Sequence, residues 1–475
     1  MITKSNRNLI GFNDTLEEFT VPATAVIDGR MGTVVLSSTS SAPIFSSTKL
    51  KQVNFDPDIE SIPQYAFKGC TSLTTVNIPE SITTIGDGAF VGCTSLTAMN
   101  IPDTVIDVGK SAFSGCKMLV SVHLPNGLAT LKHYLFYNCN ALSSVNMPEY
   151  LTTIGDGAFT GCNSLPSITI PNTVTCIEDG AFYGCRSFTS INIPNTVTTL
   201  GNMIFYNCTL LESVTLPNLI TAIGSSVFSG CSKLTSITIP NNVTSIGDWA
   251  FYQCNSLTSV NLPNGITTIG EYAFYNCYNM TSVNIPNTVV TISDYAFWLC
   301  SKITSVTIPA SVEYIGEGAF SGCWALPSIS VNSGNTHYLS DSYGVLYSCD
   351  NTLITYPCGL ELTEYSIKSG TLKIGKYAFS QTMVERVIIP NTVTDIGESA
   401  FSSCNFLSNV SVPDSVVNIG DYAFGYCQYL ESITIPNSVT TIGLEAFNGI
   451  TTVYYGGTAE GSPWGATTIL PYPTT

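Results

Sequence analysis

One stretch of sequence decides the fold. Residues 234–254 read Leu234-Thr-Ser-Ile-Thr-Ile-Pro-Asn-Asn-Val-Thr-Ser-Ile-Gly-Asp-Trp-Ala-Phe-Tyr-Gln-Cys254. Ile237 and Ile239 alternate with polar residues, which is the periodicity of a half-buried strand. Pro240 follows at once and ends that strand, because proline has no N–H to donate to a ladder.

The second half of the stretch returns the chain to the interior. After the turn at Asn241 and Asn242, we expect Val243 and Ile246 to point inward. Gly247 marks a tight bend into a short helical turn, in which the following Ala-Phe pair is buried. Such a unit has one apolar side and cannot fold alone, so it must stack against copies of itself.

The copies are present along most of the 475 residues. Twelve cysteines recur every 23 residues from Cys70 to Cys323, and each has a phenylalanine three positions before it. The phase resumes at Phe379 and continues to Phe447, which gives sixteen phenylalanines in register. A chain that repeats in this way is a solenoid, which grows in one dimension without needing a new core.

The repeat has the form Ile-Pro-x-x-Val-Thr-x-Ile-Gly-x-x-Ala-Phe-x-x-Cys-x-x-Leu-Thr-Ser-Val over about residues 50–455. It resembles the BspA-like, or Treponema pallidum-type, leucine-rich repeats. The resemblance implies an α/β repeat solenoid, a right-handed leucine-rich-repeat superhelix. It would have a parallel β-sheet on the concave face, short helical turns on the other face and one inserted β-hairpin. The resemblance also implies a secreted or cell-surface protein that takes part in adhesion.

Departures from the repeat divide the chain into segments. The array is interrupted once, where Ser342–Tyr347 and Thr352–Pro357 look like the two strands of a hairpin. Cys349 and Cys358 lie nine residues apart across this hairpin, and they are the one cysteine pair that we single out for a possible disulfide. We predict an N-terminal cap or attachment segment at 1–49, a repeat array at 50–331, a β-hairpin insertion at 332–371, a continued array at 372–455 and a C-terminal tail at 456–475.

The charge of the chain excludes some partners. Only 10% of the residues are charged, and the net charge is -17. Phosphate binding needs clustered Lys and Arg, so we expect no nucleic-acid partner and no binding to an anionic membrane surface. No apolar run approaches the length of a membrane span, and residues 1–12 lack the apolar core of a signal peptide. The family resemblance still implies a secreted or cell-surface location, with a virion as the alternative.

Residues for catalysis or metal binding form no pattern. The histidines His123, His133 and His337 lie in different settings, and we find no Ser-His-Asp, Cys-His or phosphate-loop arrangement. The repeated cysteines lack zinc spacing. Buried free thiols are their leading interpretation, with disulfides, a metal ladder or redox sensing as alternatives. We therefore predict no catalytic site, no metal, no cofactor and no enzyme.

Two surfaces are candidates for binding. The outward strand positions are almost all Ser, Thr or Asn, which could bind a partner or simply stabilise the sheet by cross-strand pairing. The positions that flank Ala-Phe are more distinctive, because three consecutive repeats have aromatic residues at both. Such a patch has the composition of an interface, and self-stacking for stability is the alternative. The aromatic candidates are Trp249, Tyr252, Tyr272, Tyr275, Tyr295 and Trp298, with Tyr134, Tyr137, Tyr183 and Tyr206 extending the rows.

These observations favour two functions. The first is a non-enzymatic recognition or adhesion protein that binds a protein or glycan through the solenoid surface. The second is a structural component of a virion or cell-surface appendage, docked into a larger assembly through residues 1–49. An enzyme is the least supported class, since only the insertion at 332–371 could hold a pocket.

Overall fold

The computed structural model describes most of the chain. The described residues are 17–21, 44–45 and 48–471, together with the backbone of the strands Thr3–Ser5, Asn8–Gly11, Thr24–Ile27 and Arg30–Thr33. The chain divides into two compact units, residues 1–240 and 241–475. Each unit is a stack of coils that are joined by parallel strands.

Most coils of the first unit contribute two short strands, a first strand before the proline and a second strand after it. First strands pair with their equivalents one repeat away, as Ala98 does with Ser121, so that 23 residues make one circuit. Two antiparallel hairpins come earlier in the chain, Thr3–Ser5 with Asn8–Gly11 and Thr24–Ile27 with Arg30–Thr33. The first strands are Glu18–Val21, Gln52–Phe55, Thr75–Asn77, Ala98–Asn100, Ser121–His123, Ser144–Val145, Ser190–Asn192, Ser213–Thr215 and Ser236–Thr238. The second strands are Ser61–Ile62, Thr84–Ile85, Asp107–Val108, Thr130–Leu131, Thr153–Ile154, Cys176–Ile177, Thr199–Leu200 and Ala222–Ile223.

The second unit is built in the same way. Ser259 lies opposite Ser282 between first strands, and Thr268 lies opposite Thr291 between second strands. The first strands are Ser259–Asn261, Ser282–Asn284, Val306–Ile308, Ile329–Val331, Glu364–Ser366, Arg386–Ile388, Asn409–Ser411, Ser432–Thr434, Thr452–Tyr454 and Thr468–Leu470. The second strands are Ser245–Ile246, Thr268–Ile269, Thr291–Ile292, Tyr314–Ile315, Thr352–Thr355, Lys373–Ile374, Asp395–Ile396, Asn418–Ile419 and Thr441–Ile442.

Phenylalanine forms the centre of the core in both units. The rings of Phe67 and Phe90 stack with centroids 5.4 Å apart, and those of Phe274 and Phe297 with centroids 5.2 Å apart. All four side chains are fully buried. Equivalent residues of adjacent coils point the same way, so one repeated residue builds a continuous column. Aromatic pairs at such distances contribute about 0.5–1.5 kcal/mol each beyond the burial of their area.

The repeated cysteines lie beside this column as buried free thiols. In most coils the thiol donates to the carbonyl oxygen of the preceding coil's phenylalanine. Cys93 Sγ lies 3.2 Å from the Phe67 oxygen, and Cys277 Sγ lies 3.2 Å from the Phe251 oxygen. Burial raises the pKa of Cys116 to about 12. The sulfur therefore fills a small slot and satisfies a backbone carbonyl, which supports the interpretation as buried thiols.

The segment from the repeated glycine to the cysteine is a series of turns, so the prediction of short helical turns is wrong. The described residues contain no helix, and hence no helix that could cross a membrane. The N–H groups of Trp249 and Phe251 donate to carbonyls of the next coil, at 2.8 and 2.7 Å. Trp249 and Gln253 have positive φ (60° and 55°), which interrupts right-handed winding. Burial of adjacent Ala and Phe is equally compatible with a helical turn, so the pattern could not distinguish the two.

Residues 332–371, where the sequence predicted two strands, contain four, and the first three pair with one another. Tyr338–Ser340 pairs antiparallel with Leu346–Ser348, which pairs antiparallel with Thr352–Thr355. The last of these strands returns to the stack, because it pairs parallel with Lys373–Ile374. The insertion is therefore a short excursion from the array.

Tyr356 shows that a coil continues within the predicted insertion. Its ring stacks on Phe379 at 5.0 Å, and it precedes Phe379 by 23 residues, one repeat length. Tyr356 thus takes the place of the repeated phenylalanine. The candidate disulfide is absent, since Cys349 is exposed and free and Cys358 is buried and free. Cys358 Sγ instead accepts a hydrogen bond from the Gly322 N–H.

Buried tyrosines hold the excursion against the stack. The hydroxyls of Tyr347 and Tyr365 lie 2.7 Å apart, and Tyr365 donates to Asp341 Oδ2 at 2.6 Å. The other carboxylate oxygen of Asp341 accepts the N–H groups of Tyr343 and Val345. Burial is the largest cause that raises the pKa of Tyr365, and repulsion from Tyr347 is the next largest. The phenols therefore stay protonated and can donate.

The stacked strands extend beyond residues 50 and 455. Glu18–Val21, inside the predicted cap, pairs parallel with Gln52–Phe55. Thr468–Leu470, inside the predicted tail, pairs parallel with Thr452–Tyr454, and Trp464 between these two strands is buried. Residues 456–471 therefore belong to the stack. Much of 1–49 and all of 472–475 lie outside the described residues, so the attachment role of 1–49 stays a prediction.

Candidate binding site

Three successive coils of the second unit have aromatic side chains on both sides of the Ala-Phe pair. A first row precedes the alanine, and a second row follows the phenylalanine. We call the six residues the aromatic ladder, which consists of Trp249, Tyr272 and Tyr295 in the first row and of Tyr252, Tyr275 and Trp298 in the second row.

The backbone of the first row does not by itself favour aromatic residues. Trp249, Tyr272 and Tyr295 have left-handed backbone conformations, with φ of 60°, 52° and 55°. This conformation costs an L-residue roughly 1–2 kcal/mol. Other coils place Gly88 or Ser399 at the equivalent position. The aromatic side chains therefore need an explanation beyond the turn, in what they contact.

The rings of the first row stack along the coils, and so do the first two rings of the second row. In the first row the centroids of Trp249 and Tyr272 lie 4.2 Å apart, and those of Tyr272 and Tyr295 lie 4.7 Å apart. In the second row Tyr252 and Tyr275 are separated by 4.8 Å, with ring planes 15° apart. These separations correspond to the height of one coil and leave no space for a further ring between neighbours.

The two rows also contact each other, so the structure brings all six side chains into one surface. Trp249 and Tyr252 lie 4.8 Å apart, and Tyr295 and Trp298 lie 5.4 Å apart. Trp249 is 38% exposed, and the remaining five side chains are half-buried. The ladder therefore stacks on itself and still presents an aromatic rim to solvent.

Sequence reasoning missed a seventh aromatic residue, Tyr377. Its ring meets Trp298 edge-on at 5.1 Å and Tyr295 at 5.5 Å. Gly318 makes room beside these rings, since a Cβ there would come within 2.6 Å of Trp298 Cζ3. Tyr377 precedes the alanine of its own repeat, so the signal was available. The interruption at 332–371 separates Tyr377 from Trp298 in the sequence, so the proximity of their two coils could not be predicted.

Acidic residues border the first row. Asp248, Glu271 and Asp294 each come directly before a first-row residue. Desolvation, and then the charges of Asp294 and Asp248, raise the pKa of Glu271. Burial also raises the pKa of Tyr272, which keeps its phenol neutral. The site therefore presents aromatic rings and neutral hydroxyls beside negative charge.

The tyrosines of the first unit that extend the pattern form pairs. Tyr134 and Tyr137 meet edge-on at 5.8 Å, and Tyr183 and Tyr206 stack at 4.6 Å. The Tyr134 hydroxyl donates to Asp156 Oδ2 at 2.7 Å. These residues make smaller local clusters than the ladder does.

The Ser, Thr and Asn rows lie on the outer face of the first strands. In the second unit Ser259 and Asn261 are exposed, and Val260 between them is buried. They lie opposite Ser282 and Asn284, which supports a role in cross-strand pairing. The full rows are Ser213, Ser236, Ser259, Ser282 and Ser305, and Thr215, Thr238, Asn261, Asn284 and Thr307.

The geometry offers no support for catalysis. Within the part of the chain that the structure describes, no group of three or more His, Cys, Asp or Glu side chains could hold a metal ion. His133 Nδ1 lies 3.4 Å from Glu178, and His337 Nδ1 lies 3.2 Å from the Thr336 hydroxyl, in different units. The acidic residues of the repeated turns accept backbone N–H groups of the next coil, as Asp248 does from Glu271.

Comparison with protein families identifies the repeat. A model of the BspA type leucine rich repeat region matches residues 39–164, 129–256, 221–352 and 354–455. The chain belongs to the BspA-type leucine-rich repeat family. The resemblance that the repeat suggested is thereby confirmed. Leucine-rich repeat proteins generally mediate protein binding or adhesion, and membership of the BspA-type family does not point to catalysis.

Solved bacterial structures are similar to this BspA-type chain. A leucine-rich repeat protein from Bacteroides ovatus is 23% identical over 93% of this chain and 97% of its own, with a TM-score of 0.55. This similarity confirms a parallel-strand solenoid of stacked coils. A leucine rich cell surface protein from Faecalibacterium prausnitzii is 21% identical over 98% of this chain and 90% of its own, with a TM-score of 0.42, too low to support an argument. Comparison with curated proteins finds no match.

Proposed function

We propose that this chain is a non-enzymatic recognition or adhesion protein whose partner binds at the aromatic ladder. The observation that carries the proposal is that three consecutive coils have aromatic residues at both ladder positions, from Trp249 to Trp298, and that all six rings are linked by ring contacts. Aromatic residues are enriched at protein interfaces and dominate their binding energy. Family membership adds that such repeats generally mediate protein binding or adhesion.

The geometry of the ladder favours a protein partner over a glycan. A sugar ring needs an uncovered aromatic face, but Trp249 and Tyr272 are only 4.2 Å apart. Neighbouring rings therefore cover each other's faces and leave edges and phenol hydroxyls for the partner. Glu271 and its acidic neighbours add a preference for a partner surface that contains Lys or Arg.

We place this recognition at the cell surface or outside the cell, a location that family membership supports. The alternative of a structural component in a virion or appendage rests on residues 1–49. Much of that segment lies outside the described residues, and no observation on the remainder favours this function.

The test replaces ladder residues with serine. Serine already occupies both ladder positions in another coil, at Ser226 and Ser229, so the change fits the repeat. The triple variant Trp249→Ser, Tyr272→Ser, Trp298→Ser removes aromatic surface from both rows. We expect it to lose partner binding and to keep the strand content of the parent by circular dichroism.

A matched control changes aromatic residues at the same repeat positions in the first unit. The control variant is Tyr65→Ser, Tyr134→Ser, Tyr137→Ser. Immobilised parent, triple variant and control are incubated with surface-protein extracts, and captured proteins are quantified by mass spectrometry at low and high salt. We expect parent and control to capture the same protein, less of it at high salt because the ladder border is acidic. Equal capture by the triple variant would refute the proposal.

A further inference from the structure

Residues 241–475 also form a concave surface that uses no residue of the aromatic ladder. One cavity of about 460 Å³ is lined by residues that include Trp324, Ser403 and Asn405. An adjoining cavity of about 400 Å³ shares Ser403 and Asn405 and reaches Tyr426. We call the two together the Trp324 groove, which runs from Trp324 to Tyr426. Each part has the size of a small-molecule site, roughly 300–1,000 Å³.

A shortened coil accompanies the groove. Phe379 and Phe401 are 22 residues apart, one fewer than the usual repeat length. The missing residue falls in the loop that begins at the position of the repeated cysteine. This loop has three residues in the shortened coil, Thr382–Val384, and four in the next coil, Cys404–Leu407. A shorter loop leaves a notch beside its neighbours, and both loops line the groove.

Large apolar side chains form the walls of the groove. Trp324 is 47% exposed, Phe406 is 50% exposed and Met383 is 42% exposed. Contiguous exposed apolar side chains with a polar rim mark interaction sites, because burying them on binding is favourable. Phe406 lies parallel to Tyr429 of the next coil, with ring centroids 6.2 Å apart, and half of its surface is still exposed, as is about half of Trp324.

The polar side chains in the groove are amides and hydroxyls. Gln381, Ser403 and Asn405 line the first cavity, and Gln428 lines the second. The Gln381 amide oxygen lies 3.3 Å from the place where a Cβ of Gly322 would be, so this glycine leaves space for the amide. Among the described residues that line the two cavities, none is Asp, Glu, Lys or Arg. The lining of the groove is therefore neutral.

Such a lining selects a neutral ligand that has both apolar faces and hydroxyl groups. A charged ligand would lose hydration on binding and would have no opposite charge in the groove to compensate, which costs free energy. A purely apolar ligand would cover the amides without giving them hydrogen-bond partners, which costs about 1–3 kcal/mol for each buried group. A pyranose sugar has C–H faces that pack on aromatic rings and hydroxyls that bond to amide side chains.

We propose that the Trp324 groove binds a neutral oligosaccharide. Trp324 and Phe406 pack against sugar rings, and Gln381 and Asn405 hydrogen-bond to sugar hydroxyls. The continuation to Tyr426 gives space for more than one sugar unit, and thus for a linear chain. The groove and the aromatic ladder are separate surfaces, so each proposal can fail without the other.

The test is calorimetric titration of the intact chain with neutral oligosaccharides, from disaccharides to hexasaccharides. The probes are cello-, malto-, xylo- and N-acetylated chito-oligosaccharides, and oligogalacturonates of the same lengths are the charged comparison. We expect at least one neutral series to bind, with affinity that rises with length until the groove is filled. We expect the oligogalacturonates not to bind.

Variants assign the binding to the groove. Trp324→Ala and Phe406→Ala should each weaken the neutral oligosaccharide about tenfold or more. Tyr278→Ala and Leu210→Ala are matched controls, since they remove exposed side chains at the same loop positions of other coils and should leave affinity unchanged. Trp249→Ser in the ladder should also leave it unchanged.

Three outcomes overturn the proposal. The first is no binding of any neutral series to the parent, and the second is tighter binding of oligogalacturonates than of neutral sugars. The third is equal affinity of Trp324→Ala and its control Tyr278→Ala for the bound sugar. Circular dichroism of both variants checks that neither change alters the fold.

Discussion

Serine substitution at Tyr272 measures how much the aromatic ladder contributes to stability. The Tyr272 ring contacts Trp249 at 4.2 Å, Tyr295 at 4.7 Å and Tyr275 at 5.6 Å. Aromatic pairs contribute about 0.5–1.5 kcal/mol each, and half-exposed pairs fall towards the lower end. Removing three such contacts should therefore lower the free energy of unfolding by about 1.5–2.5 kcal/mol.

Tyr183→Ser, at the second-row position of a coil in the first unit, is the comparison for this substitution. It removes the stack with Tyr206 at 4.6 Å and should cost about 0.5–1 kcal/mol. Serine adds little backbone cost at Tyr272, because Ser226 and Ser399 have φ of 56° and 52° at the equivalent position. The difference between the two variants in the free energy of unfolding therefore measures the additional ring contacts of Tyr272.

Hydrogen exchange at the Phe274 amide, combined with urea unfolding, is the appropriate assay. This N–H donates to the Ala296 oxygen at 2.8 Å between two ladder coils, and solenoids open locally as well as globally. The double variant Trp249→Ser, Tyr272→Ser should cost less than the sum of its single variants by about 0.5 kcal/mol or more. Strict additivity, or a cost for Tyr272→Ser no larger than for Tyr183→Ser, would refute a stabilising role for the stacks.

The remaining predictions concern the thiols and the glycine beside the ladder. A thiol reagent should modify exposed Cys349 quickly and half-exposed Cys176 slowly, and should reach all 17 cysteines only after unfolding, as counted by mass spectrometry. Burial raises the pKa of Cys116 from 9.0 to about 12, so its stabilising contribution is complete below about pH 9 and is lost as the pH rises towards 12. Urea unfolding midpoints that stay constant between about pH 9 and pH 12 would contradict this predicted loss of stability. Gly318→Ala should cost about 1–2 kcal/mol and shift the tryptophan emission, because φ is 59° and the new Cβ would meet Trp298; unchanged emission would argue against the contact.

Much of the fold could be predicted from the period alone. A constant 23-residue spacing requires that equivalent residues pair, as Ala98 does with Ser121, and that Phe67 stacks on Phe90. The conformation of the Ala-Phe segment could not be predicted, since it depends on whether N–H groups bond within the coil or to the next coil. The Phe251 N–H donates to the next coil, which makes the segment a ladder of turns.

The candidate sites could be predicted only where the repeat is regular. The ladder residues occur at constant spacing, so their proximity followed from the stacking. Tyr377 and the Trp324 groove could not be found in this way, because they depend on how the chain returns after an insertion and on a one-residue deletion. Tyr356 occupies a phenylalanine position without the Ala-Phe-x-x-Cys motif, so the coil that links the two arrays was not visible.

At the first-row position, the backbone conformation of the repeat does not depend on which side chain is present. The N–H groups of Gly88, Ser111 and Trp249 donate to the next coil at 2.8, 2.9 and 2.8 Å, although their side chains differ completely. All three have positive φ, so the backbone neither requires an aromatic side chain nor changes to accommodate one. The aromatic run from Trp249 to Trp298 is therefore explained by ring contacts, by a partner or by both. Unfolding of Tyr272→Ser measures the first contribution and capture by the triple serine variant measures the second.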